Sequence, residues 1–229
     1  MNWQEFTALL VLATAMSFSP GPNTTLAAAL AANHGLRRAM PFVCAVPVGW
    51  GVLLSLCALG LGALLLAVPL LGLAVKVTGV AYLIWLASKL IGVRFQIRIQ
   101  PQAGWRERFT FERNGNLTPI NLSEVDAQKM NVGFWQGAAL QFVNIKAWML
   151  ALAIVSGWIA GRTDPGLRFA VVLPVMLVYA FASNLLYAWA GSLLREWLSG
   201  PDGSGRRLRG FNFLMAAVLL VTAIWMLFL

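Results

Sequence analysis

Apolar residues run along this chain in stretches far longer than a soluble helix or strand requires, interrupted by short polar punctuation and one long polar segment. Six stretches, approximately 5–33, 40–66, 69–93, 134–160, 168–194 and 210–229, are each long enough to cross a hydrocarbon core of about 30 Å, which takes roughly 20 helical residues. Barrel strands would alternate apolar and polar positions over about ten residues, and no such alternation appears inside these runs. The pattern therefore predicts an all-α integral membrane protein with six transmembrane helices. Residues 94–133 form a basic polar linker that divides the chain into 1–93 and 134–229, with three spans on each side. An odd number of spans per half makes the fourth helix cross opposite to the first, so the expected architecture is two inverted three-helix repeats. Within the linker, "RFQIRIQ" and "RFTFER" alternate as a short hairpin would, although a solvated loop suits the composition better.

Composition agrees with the pattern: 59% of the 229 residues are hydrophobic and only 11% are charged, well outside the range of a soluble domain. The opening "MNWQEF" has neither a basic leader nor a small-residue cleavage site, so the first apolar run is read as a retained span. The net charge of +9 acquires meaning from its distribution. Arg37, Arg38, Lys89, the linker cations, Arg195, Arg206, Arg207 and Arg209 put thirteen Lys and Arg on one side, against Lys76, Arg162 and Arg168 on the other. By the positive-inside rule the odd loops are cytoplasmic and both termini face outward. This charge is a topological signal facing anionic lipid, and no nucleic-acid role is assigned.

Candidate chemistry is sparse, which makes what remains informative. Cys44 and Cys57 stand thirteen residues apart on one helix, roughly 20 Å along its axis, too far to pair. One His34 and no carboxylate inside a span leave no metal site, and no cofactor is called for. The first apolar run is broken by "FSPGPNTT", Phe18 to Thr25. Pro20 and Pro22 lack backbone donors and clash with the preceding turn, so the helix is broken or strongly kinked there, either as a kink that serves packing or as a break that frees carbonyls and amides at membrane depth. The half-helix that restarts near Asn23 points its positive end at whatever covers the break.

At the corresponding place in the second half, Lys146 lies near the bilayer midplane, where a cation costs about 2.5 to 3.5 kcal/mol to insert. All eight acidic residues fall in loops or at helix ends, so none can neutralise it within the hydrocarbon. Three arrangements satisfy the amine: carbonyls freed around Pro20 to Pro22, loss of its proton, or an acidic group arriving with a substrate. Gln141, one turn before Asn144, can share the same face. Asn184, Ser183 and Tyr179 in the fifth span either line the same cavity or hydrogen-bond between helices. "GWIAG", Gly157 to Gly161, has the spacing of a close helix contact within or between subunits, so a homo-oligomer is compatible with the sequence. Trp3, Trp50, Trp105, Trp158 and Trp197 are read as interfacial anchors.

These residues resemble the lysine exporter (LysE/RhtB) family of amino-acid exporters, and within it the cysteine and O-acetylserine branch. The resemblance rests on "SPGPNTTLAAALAANHGLRRA", "GVAYLIWLASKL" and "ALQFVNIKAWMLA", and covers nearly the whole chain apart from the linker. It implies six spans, an inner-membrane location and proton-driven efflux of small amino acids, a transporter and not an enzyme. Its signature falls on Pro20, Gly21, Pro22, Asn23, Asn144 and Lys146. Two departures matter. Many relatives carry an acid where Asn23 stands, and without it a dibasic substrate would add a second unpaired cation, so neutral amino acids fit better. Many also carry a proline where Ile145 stands, and its absence permits an unbroken fourth helix. A non-transporting scaffold or a channel would share the composition, and would be distinguished by tolerance of Lys146 changes or by flux without saturation.

Overall fold

The computed structural model describes residues 1–92, 109–111, 117–119, 132–199 and 205–228. The first apolar run is split into α1 (Trp3–Phe18) and α2 (Pro22–His34), and α3 (Leu36–Leu56) follows after a single residue, Gly35. Gly35 has φ 86°, a conformation that favours glycine, and a Cβ there would lie 2.9 Å from the Arg195 guanidinium. After a π turn at Cys57–Leu61 come α4 (Gly62–Ala67) and α5 (Pro69–Ile91). The second half contains α6 (Phe134–Val143), α7 (Ile145–Ile154) with a π turn at Val155–Ile159, α8 (Pro165–Ser199) and α9 (Arg206–Leu227). Of the linker, β1 (Phe109–Phe111) and β2 (Leu117–Pro119) pair antiparallel, Phe109 opposite Pro119. "RFQIRIQ" and Trp105 lie outside the described residues.

Among the described residues, four helical stretches are long and apolar enough to cross a membrane: Leu36–Leu65, Pro69–Ile91, Pro165–Leu198 and Arg206–Leu227. The bent pair α6 and α7 makes a fifth if counted as one span. The first run is split at Ser19 to Gly21, where Pro20 and Pro22 lead a break to be expected. Its two pieces are 16 and 13 residues long, each too short alone for a core of about 30 Å.

Burial separates the helices by role. Nearly every residue of α2 from Pro22 to Asn33 is buried, so this alanine-rich helix is enclosed by protein on all sides. Small residues permit that enclosure: a Cβ on Gly191 of α8 would strike the Ala28 carbonyl of α2, and one on Gly49 of α3 would strike the Ala138 backbone of α6. In contrast, Leu70, Leu73, Val77, Val178, Leu186 and Val221 on α5, α8 and α9 expose large apolar surface, as a lipid-facing wall would. Two buried clusters fill the interior. One gathers Leu26, Leu30, Phe42, Leu86, Leu140 and Leu219, and the other Leu9, Leu54, Trp148, Ile154, Val172 and Met176.

Two expectations are overturned in this frame. Gly157 lies in a π turn and Gly161 in a turn at φ 68°, and a Cβ on either would meet nothing, so among the described residues "GWIAG" mediates no close packing within the chain, the first of its two expected roles. Trp50 is only 4% exposed, inside the second cluster, and is no interfacial anchor. Trp3 and Trp197 are exposed, whereas Trp158 donates its indole N–H to the Glu5 carbonyl at 2.8 Å.

Candidate functional site

The first break is built by the two prolines. Each disfavours helical backbone at the residue before it, and both Ser19 (φ −71°, ψ 139°) and Gly21 (φ −170°, ψ −178°) are extended. Pro22 then opens α2, where its missing donor costs nothing. The carbonyls released by the break find side-chain partners: Tyr187 Oη donates to Phe18 O at 2.9 Å, and Lys146 Nζ donates to Ser19 O at 2.9 Å. Lys146 Nζ also donates to Ser19 Oγ at 2.7 Å. Gly21 N donates to Thr24 Oγ1 at 3.0 Å. The amides of Asn23 and Thr24, by contrast, have no intrahelical acceptor, since they belong to the first turn.

A second break faces it. Although no proline separates Asn144 from Lys146, the fourth apolar run is not an intact helix, and α6 and α7 meet at 68°. Asn144 itself supplies the cause. Its backbone is extended (φ −92°, ψ 99°) and its side-chain oxygen accepts from Lys146 N at 3.1 Å, capping α7. Trp148 Nε1 satisfies the carbonyl of Phe142 at 2.9 Å.

Reciprocal bonds hold the two breaks together. Asn23 Nδ2 donates to Gln141 Oε1 at 2.9 Å and Gln141 Nε2 returns to Asn23 Oδ1 at 3.1 Å. The contact at Gly21 is equally close: a Cβ there would sit 3.2 Å from both Cδ and Nζ of Lys146. Glycine is required at this point for its missing side chain, because its φ is ordinary extended backbone.

Between the breaks lies a cavity of about 60 Å³. Among the described residues Lys146 is its one charged lining residue, and Gly21, Pro22, Asn23, Asn144 and Asn184 also line it. Pro20, Gln141 and Tyr179 do not. Pro20 shapes the break, Gln141 is fully buried behind Asn23, and Tyr179 accepts from Thr14 Oγ1 at 3.2 Å, a bond between helices. The opposite wall is apolar, with Met16, Val46, Leu150 and Met176. Ser17, Thr24, Ser183 and Trp50 add further polar lining. Two buried atoms of lining residues, Trp50 Nε1 and Asn184 Oδ1, have no hydrogen-bond partner. Among the described residues no group of His, Cys, Asp and Glu could hold a metal ion.

Of the three arrangements open to the Lys146 amine, the structure has a carbonyl freed at the first break, that of Ser19; sequence reasoning missed the Ser19 hydroxyl beside it, and Trp50 and Tyr187 as contributors. Trp50 carried a usable signal, since it stands well inside its apolar run, away from an interface. Tyr187 follows Asn184 by three residues and so shares its helix face.

A cavity between two broken, apolar helices, with an amine held by backbone, is an arrangement of membrane translocators. Comparison with known families decides the matter: LysE type translocators match residues 14–228. The chain belongs to that family. Among curated proteins it is 28% identical over 158 residues to an uncharacterised membrane protein of Pseudomonas aeruginosa, a match spanning 69% of this chain and 65% of the relative. It is 26% identical over 161 residues to a cysteine/O-acetylserine efflux protein of Salmonella choleraesuis, covering 70% of this chain and 68% of that one. A protein of the same name from Escherichia coli O1:K1 / APEC is 27% identical over 166 residues, with 72% and 70% covered. The chain thus spans about two thirds of the length of these relatives. No solved structure matches it.

Proposed function

We propose that this protein is a secondary active exporter of small, neutral amino acids or their derivatives, working by alternating access across the inner membrane. The observation that carries the reading is the bond from Lys146 Nζ to the carbonyl freed at Ser19, beside a cavity that Lys146 lines and that, among the described residues, no carboxylate lines. Such a cation is held only by neutral oxygens, and a substrate carboxylate is a better partner. On arrival the carboxylate takes Lys146 and the amides of Asn23 and Thr24 at the positive end of α2. Ser19 O is thereby released to accept from the substrate ammonium. A dibasic substrate would leave its second cation unpaired, which favours neutral side chains. Relatives named for cysteine and O-acetylserine efflux support that class.

In this reading residues 1–93 and 134–229 are two inverted three-span repeats joined by the 94–133 linker, each broken in its first span. Rocking of one against the other exposes the cavity to either side. Both termini face the periplasm. Lys146 is the lining side chain that can exchange a proton, so substrate exit and proton movement meet at one amine. The test is efflux from cells preloaded with single amino acids, with and without a proton gradient. Saturable, gradient-dependent export of a neutral amino acid supports the reading, whereas no export of any amino acid, or flux that does not saturate, contradicts it.

A further inference from the structure

We propose that Trp50 and Asn184 form the pair that reads the substrate's side chain, and that they select a side chain carrying a hydroxyl or thiol over one that is apolar. The inference rests on the export reading above and specifies what its cavity recognises. Trp50 of α3 is 4% exposed and Asn184 of α8 is 3% exposed, and both line the same cavity of about 60 Å³. Each buries one polar atom with nothing to bond to: the indole N–H of Trp50, which can only donate, and the side-chain oxygen of Asn184, which can only accept. The amide nitrogen of Asn184 is already committed to Ala180 O at 2.8 Å, and this fixes the oxygen as the free end.

Buried polar atoms in native proteins are almost always satisfied, so an unmatched donor and an unmatched acceptor in one cavity point to a ligand that supplies both. The charged ends of an amino acid are accounted for by Lys146, the α2 amides and Ser19. A group is left over that donates once and accepts once. A hydroxyl does both, a thiol does both weakly, an ester oxygen only accepts, and a methyl does neither. Room is limited. The cavity accommodates only a handful of water-sized spheres, each about 10 to 15 Å³, so the side chain must be short. The apolar wall of Met16, Val46, Leu150 and Met176 excludes a second charge.

The experiment uses cells preloaded with an equimolar mixture of serine and 2-aminobutyrate, which differ by a hydroxyl in place of a methyl, and follows both in the medium. The wild-type protein exports serine in preference. Trp50→Phe keeps the ring and removes the donor, and Asn184→Leu removes the acceptor at similar volume. In each, serine export falls about tenfold more than 2-aminobutyrate export, the loss expected for a buried hydrogen bond read by the site. Insertion is checked by membrane fractionation. Should Trp50→Phe lose both fluxes, Asn184→Leu decides. An unchanged serine to 2-aminobutyrate ratio overturns the proposal while leaving the export reading intact. Export of neither compound, nor of any other amino acid, by the wild type overturns both.

Discussion

Lys146 Nζ lies 2.9 Å from the carbonyl oxygen of Ser19 and 2.7 Å from its hydroxyl, so the cation at one helix break closes the other. Both partners come from positions where the chain stops being helical. The arrangement depends on Gly21, whose missing side chain leaves room for the lysine at 3.2 Å. Gly21→Ala forces Lys146 to shift by a few tenths of an ångström, and Gly21→Val displaces it altogether. Export is expected to fall severalfold in the first and to vanish in the second, with membrane insertion retained in both, as measured by efflux and fractionation in parallel.

How much of this was legible beforehand depended on whether the chemistry was local. Pro20 and Pro22 announce the first break because proline loses its donor wherever it stands. Lys146 announces a site because hydrocarbon penalises a cation regardless of its neighbours. The break at Asn144 was not legible, since asparagine is tolerated within a helix and becomes a cap only when its side chain turns back to Lys146 N. Trp50 was misread for a related reason. An indole serves equally as an interfacial anchor or a cavity wall, and only packing against Leu54 and Met176 on the same cluster decides between them. Likewise the spacing of Gly157 and Gly161 means close packing only if another helix lies opposite, and none among the described residues of the chain does.

Asn144 thus acquires a testable role as the cap that bends the fourth run. Asn144→Ala removes the side-chain acceptor from Lys146 N, costs about 0.5 to 2 kcal/mol of stability and lets α6 and α7 straighten. Thermal unfolding in detergent should fall accordingly and export should be lost. Asn144→Ser, which restores a capping oxygen, should recover most of the stability and part of the export.

The Asn23 and Gln141 pair predicts energetic coupling between the halves of the chain. Gln141 is fully buried, so Asn23→Ala leaves its Oε1 unmatched, while its Nε2 keeps the bond to Gly137 O at 3.1 Å, and costs about 1 to 3 kcal/mol. Gln141→Ala acts similarly. Because each bond needs both residues, the double variant should be less destabilised than the sum of the singles by about 1 kcal/mol, and additive values would show that the pair does not bridge the breaks.

Orientation is testable through the two ends of the bundle. Gly35 approaches Arg195, which brings the first and fifth connections to one end. At the other end Glu5 pairs with Arg162 at 3.4 Å and Arg168 at 3.1 Å, partly neutralising two of the few cations expected outside. An exported phosphatase fused to the C-terminus should be active and a cytoplasmic fluorophore dark. The reverse pattern would place both termini inside.

The central claim is that Lys146 binds the substrate carboxylate and links its exit to a proton. Lys146→Met keeps much of the side-chain length and removes the charge, so the protein should insert at least as well as the wild type. Lys146→Arg keeps a cation that cannot release its proton and should retain little export. The deciding measurement is amino-acid efflux from preloaded cells expressing Lys146→Met, with the proton gradient intact and collapsed. The account predicts full insertion with no export above background in either condition. Export at the wild-type rate with unchanged dependence on the gradient would contradict it.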